Sequence, residues 1–173
     1  MNVPRSFLWV SGWSVPASVW DEHISHWPDA VHHPLDFSRC TSSSDMVETA
    51  RTALSILPKP VCVVAWSLGA FVTLELLPTM NNSEIHSIYL TGVGSQFVST
   101  SNYPYGWNKR ILQRMKKRLH IHKKDVITQF DQNMFSVAPE DEKWKSLRAV
   151  IPSTPSLLAG LDYLLELKKE PFE

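Results

Sequence analysis

The stretch Val61-Cys62-Val63-Val64-Ala65-Trp66-Ser67-Leu68-Gly69-Ala70-Phe71-Val72 decides the fold. An apolar run leads into Ser67, and a second apolar run, Ala70 to Leu77, leaves it. The first reads as a strand over 61–65 and the second as a helix to about Leu77. A serine at such a sharp strand-to-helix turn has its hydroxyl lifted above the sheet. There an imidazole can take its proton and two backbone amides can hold a developing oxyanion. The usual pattern of these turns is G-x-S-x-G. Here Ala65 stands at the first glycine, adding a methyl where helix and strand pass closely, while Gly69 keeps the second. The plainer reading of Ser67 is a helix N-cap, a role serine favours in any fold.

Outward from this turn, strands and helices alternate. Phe7-Leu8-Trp9-Val10 reads as a buried strand ending at the turn signal Ser11-Gly12-Trp13. Ala30-Val31-His32-His33-Pro34 is a short second strand whose proline counts against it. Asp45 and Glu48 open a helix whose apolar stripe runs through Met46, Val47, Ala50, Ala53, Leu54 and Leu57 before Pro58 and Pro60. After the Ser67 turn comes a strand around Ile88-Tyr89-Leu90, closing at Gly92 and Gly94. Alternation of this kind implies a parallel sheet with right-handed crossovers.

From Tyr103 the character changes to helix without strand signal through Lys169. Lys109 to Lys124 holds eight basic residues and no acid, in a 173-residue chain with 17 basic and 17 acidic residues. Charge is therefore segregated although the whole is neutral. Ile111, Leu112, Met115 and Leu119 give the basic stretch an ordinary apolar stripe, so a solvated helix face competes with a docking surface. Nucleic acid is a poor partner for a neutral chain without a recognised binding motif.

A chain of this length can bury about 70% of its unfolded surface in one domain. With 43% hydrophobic residues and seven each of Trp and Phe, it is not a disordered chain. No segment approaches the ~20 apolar residues of a membrane span. Residues 1–13 lack the long hydrophobic core and cleavage site of a signal peptide. Cys40 and Cys62 do not make a disulfide framework. A cytoplasmic protein without cofactor or metal is the expectation; His120-x-His122 alone cannot define a zinc site.

The chain resembles the α/β-hydrolases and, within them, the pimeloyl-[acyl-carrier protein] methyl ester esterases of biotin synthesis. The resemblance rests on Val10-Ser11-Gly12-Trp13, Ala65 to Ala70, the Tyr103-Pro104 opening of the helical region, and Leu157-Leu158-Ala159-Gly160-Leu161-Asp162. It implies a three-layer parallel α/β sheet with a helical lid: a core over 1–102, a lid over 103–169 and a tail over 170–173. It implies Ser67 as nucleophile and the backbone amides of Trp13 and Leu68 as oxyanion hole, with a small ester as substrate. Trp66 and Trp13 flank the turn and either line an acyl pocket or simply pack the core. Arg110, Arg114 and Lys117, on neighbouring helical turns, are the expected contact for an acidic acyl carrier protein.

Two departures accompany the resemblance. Ser11 stands where the family usually has histidine. The family's segments carrying the triad aspartate and histidine would follow Glu173, so a C-terminally truncated fold is expected, with a separately encoded C-terminal segment as one partner that could restore them. After Ser67 the chain has only His86, His120 and His122. His86 opens the strand after the Ser67 helix and is expected about 17–20 Å from the turn, a typical strand length. His120 and His122 lie among cations that lower imidazole basicity. Little or no esterase activity is therefore expected of this chain alone.

Overall fold

The computed structural model describes residues 5–136 and 142–167; the expected tail and the last residues of the expected lid lie outside them. Four parallel strands form one sheet in the order β2-β1-β3-β4. They are β1 (Ser6–Val10), β2 (Val31–Leu35), β3 (Val61–Trp66) and β4 (Ile85–Thr91). The central strands are almost continuously buried, as parallel strands covered on both faces must be. The second strand exists despite Pro34, because β2 is an edge strand and one of its sides needs no ladder hydrogen bond.

Helices α2 (Ser43–Ile56) and α3 (Leu68–Leu76) cover one face. Val61, Val63 and Ala65 of β3 point into the main core with Met46, Ala50 and Ala53 of α2 and Phe71 and Val72 of α3. The other face carries a smaller aromatic cluster of Phe7, Trp9, Trp20 and Cys62, beside the short α1 (Asp21–Ser25). Trp9 Nε1 donates to His32 Nδ1 at 3.1 Å, so the cluster's polar edges are paired.

After β4 the chain forms α4 (Lys109–Leu119), α5 (Lys123–Met134), α6 (Glu142–Leu147) and α7 (Thr154–Glu166). The boundary between this region and the core is less sharp than the change in sequence character suggests. Helix α7 belongs to the main core: Leu157, Leu161 and Leu164 are each at most 2% exposed. Ser156 Oγ donates to Phe37 O at 2.8 Å, and Tyr163 OH donates to Glu75 of α3 at 2.6 Å. Burial, reinforced by that carboxylate, pushes the Tyr163 phenol well above its ordinary pKa. Helix α4 lies against α7, where Lys116 pairs with Asp162. Among the described residues no helix is long and apolar enough to cross a membrane.

Candidate active site

Ser67 sits between the end of β3 and the start of α3 at φ 53°, ψ −118°. A non-glycine residue there costs about 1–3 kcal/mol and persists only where its surroundings over-determine it. Its N–H donates to Thr91 O at 2.9 Å, and its carbonyl accepts from Phe71 N at 3.1 Å. Its hydroxyl makes no capping bond to the helix, so the N-cap role does not account for the side chain. The side chain is half-buried and faces a cavity.

The glycines around the turn divide its steric demands. A Cβ on Gly69 would stand 2.6 Å from Ser11 O and 2.7 Å from Val10 O, so any side chain there forces the backbone to shift. Ala65, by contrast, is fully buried inside β3 opposite Val10, where a methyl packs without conflict. A Cβ on Gly12 would come within 3.3 Å of the Ser67 Cβ, so the loop after β1 lies directly against the serine. Gly92, at φ 62°, brings the end of β4 within contact of the Trp66 indole.

Gly12 to Val15 closes a turn through Val15 N donating to Gly12 O at 3.3 Å, with Ser14 at φ 61°. That is the positive φ a type II turn needs at its third residue. The Trp13 side chain is buried: Nε1 donates to Leu157 O at 2.9 Å, and the ring meets Phe130 edge-on at 5.0 Å. A Cβ on Gly160 would stand 2.6 Å from the Trp13 ring, which explains the glycine of the Leu157 to Asp162 segment. Among the described residues neither the Trp13 nor the Leu68 backbone amide donates to a protein acceptor. Ser11 Oγ accepts from Trp20 Nε1 at 3.0 Å and serves the loop's own packing.

The cavity beside Ser67 has a volume of about 200 Å³. Trp13 and Trp66 both line it, together with Phe97, Trp107, Met115 and Phe130. Among the described residues the wall contains no charged side chain; Asn133 and Ser67 are its polar side chains apart from the indole nitrogens. Such a space suits an uncharged apolar group.

Among the described residues no histidine lines the cavity. His86 lies in β4 near the register of Val61 and Cys62, whereas Trp66 pairs with Thr91 at the other end of the strand. His120 ends α4, and His122 precedes α5 beside Asp125, at 3.7 Å. Arg110, Arg114 and Lys117 are exposed on α4 and, among the described residues, form no ion pair. Sequence reasoning did not find a largely covered arginine behind the site. Arg148, just after α6, forms a two-pronged pair with Asp131 of α5, Nε to Oδ2 at 2.7 Å and Nη2 to Oδ1 at 2.6 Å. Its Nη1 donates to Ser14 O. No local signal could announce this, because the partners lie 17 and 134 residues away.

No protein-family model matches the chain, and no curated protein matches its sequence. Solved structures do match. The esterase EaEST from Exiguobacterium antarcticum superposes with a TM-score of 0.79 at 12% identity, over 96% of this chain and 68% of that one. The hydrolase olei00960 from Oleispira antarctica gives 0.70 at 11% identity, over 94% and 66%. The bottromycin epimerase BotH gives 0.68 at 13% identity, over 100% and 69%. At these identities likeness speaks for architecture, and an epimerase among the neighbours shows that the architecture serves more than one reaction. The parallel sheet, the strained serine turn after β3 and these superpositions together establish that the chain has the α/β-hydrolase fold.

Proposed function

We propose that the protein is a serine carboxylic-ester hydrolase acting through an acyl-Ser67 intermediate. Ser67 Oγ attacks the ester carbonyl while its proton passes to a base, and the carbonyl oxygen becomes an oxyanion held by the Trp13 and Leu68 amides. The alcohol then leaves with a proton, and water cleaves the acyl-serine by the same steps. The acyl group occupies the cavity beside Trp66 and Trp13. The observation that carries this reading is Ser67 itself: a strained φ of 53°, no helix-capping bond for its hydroxyl, and an apolar cavity in front of it.

The substrate class that follows is a short or carrier-linked methyl ester. The uncharged wall supports an apolar acyl chain. The exposed Arg110, Arg114 and Lys117 support an acidic acyl carrier protein as the carrier. With no histidine beside Ser67 among the described residues, the base and its carboxylate partner come from elsewhere. A segment outside the described residues that adds a strand beside β4, whose Thr91 end adjoins Ser67, would deliver them. In a serine protease, loss of the histidine alone costs about a millionfold in turnover. The oxyanion hole and binding retain roughly 10³–10⁴ over water.

The test is to incubate the chain with a short p-nitrophenyl ester and, separately, with a fluorophosphonate, each beside Ser67→Ala. The expected result is slow, Ser67-dependent covalent labelling with ester turnover far below that of an ordinary esterase. Labelling that persists in Ser67→Ala, or turnover of ordinary enzymatic size from the chain alone, contradicts this account. An unlabelled Ser67 together with retained binding of an acidic carrier protein favours the second reading, a non-catalytic binder working through the α4 face.

A further inference from the structure

Resting on the reading of Ser67 as nucleophile, we infer that Arg148, held by Asp131, is a positioning residue that fixes the Gly12–Val15 turn so that the Trp13 amide faces the oxyanion. The turn needs outside support. Ser14 sits at φ 61° without being glycine, and its buried hydroxyl has no hydrogen-bond partner, so its own side chain does not hold it there. The bond closing the turn, Val15 N to Gly12 O, is long at 3.3 Å. The carbonyl of Ser14 is gripped instead by Arg148 Nη1.

Arg148 cannot easily let go. Its side chain is 11% exposed and that of Asp131 7%, so withdrawing the guanidinium would strand a buried carboxylate. Nε and Nη2 are committed to the two oxygens of Asp131, a fork that a lysine does not reproduce. The guanidinium carbon also lies 4.7 Å from the centre of the Trp144 ring, which meets Trp66 edge-on at 6.1 Å. On its other side the turn is anchored by Trp13 Nε1 on Leu157 O and by the ring against Gly160. The Trp13 amide is thus carried between two buried anchors, one on α7 and one on the α5–Arg148 pair. Arg148 does not line the cavity, and all three of its guanidinium nitrogens are engaged, so it acts on the reaction through the turn and not by touching substrate.

The experiment uses the full chain and Arg148→Lys, with Asp131→Asn as a second, volume-conserving variant should the first fail to fold by circular dichroism. Two quantities are read: hydrogen exchange of the amides in 12–16 and 68–76, and the rate of fluorophosphonate labelling at Ser67. The expected result is faster exchange confined to 12–16, with labelling slowed by about 10- to 100-fold, the scale of a misplaced catalytic group. Unchanged exchange in 12–16, an equal rise in 68–76, or full retention of labelling by Arg148→Lys overturns the inference. Absence of labelling in the wild-type chain sinks the hydrolase reading instead, and the exchange measurement then decides alone whether Arg148 holds the turn.

Discussion

Ser67 and Gly69 carry opposite burdens within three residues. Ser67 accepts a strained backbone to stand in front of the cavity, while Gly69 lets α3 pass within contact of the β1 backbone. Because the atoms nearest a Gly69 Cβ are the carbonyl oxygens of Ser11 and Val10, relief requires a backbone shift and not a rotamer change. Gly69→Ala should therefore lose about 1–3 kcal/mol, the usual cost of overpacking. Ala65→Gly, which restores the common motif, should be no more stable than the parent, since glycine in a strand gives up about 0.5–1 kcal/mol of chain entropy. Urea midpoints at constant m-value check both. The common motif marks Ala65 and Gly69 as equivalent; only the packing around each separates the tolerant position from the intolerant one.

Among the elements, α2 shows how far local sequence reaches. Ser42 Oγ accepts from Asp45 N at 3.1 Å, and Asp45 Oδ2 accepts from Thr41 N and Thr41 Oγ1, each at 3.0 Å. The Asp45–Glu48 spacing pointed to a helix here but placed its start one turn late: Ser42 is the cap and Asp45 stands at the third helical position. A cap is set by which of several nearby polar side chains reaches the free amide. Ser42→Ala should cost about 1 kcal/mol, read as a lower denaturation midpoint. The Thr41 backbone bond, first among several hydrogen bonds, holds the Asp45 carboxyl below its ordinary 3.8. A carboxylate lowered in the folded state stabilises above its unfolded value and loses that contribution as pH falls through the folded value. Stability measured from pH 5 downward should thus fall less steeply in Asp45→Asn than in the parent. Strand β2 shows the limit of the same reasoning: Pro34 argues against a strand until its place at the sheet edge is known.

At the scale of the whole molecule, the sheet has an open side. Among the described residues β4 pairs only with β3, and Tyr89 is 62% exposed on it. It shares a sheet face with Val64, its partner in register, which is itself only partly covered. A free parallel edge beside an exposed aromatic is a template for further pairing. The chain should scatter light increasingly with concentration, and Tyr89→Lys should suppress this without lowering the melting temperature by more than a degree or two. Equal scattering by the variant would place self-association elsewhere.

What the sequence determined by itself was the alternation of strands and helices, the serine turn and the helical character beyond Tyr103. Each of these is written in the spacing of neighbouring residues, where burial of one face imposes a period. The tertiary structure alone decided the strand order, the integration of α7 into the main core, the closeness of Gly12 to Ser67 and of Gly160 to Trp13, and the distance of every described histidine from the cavity. It alone joined Arg148 to Asp131 and Ser14. Partners far apart in the chain leave no periodic trace, because a charged side chain is compatible with any opposite charge or carbonyl until packing selects the one within reach.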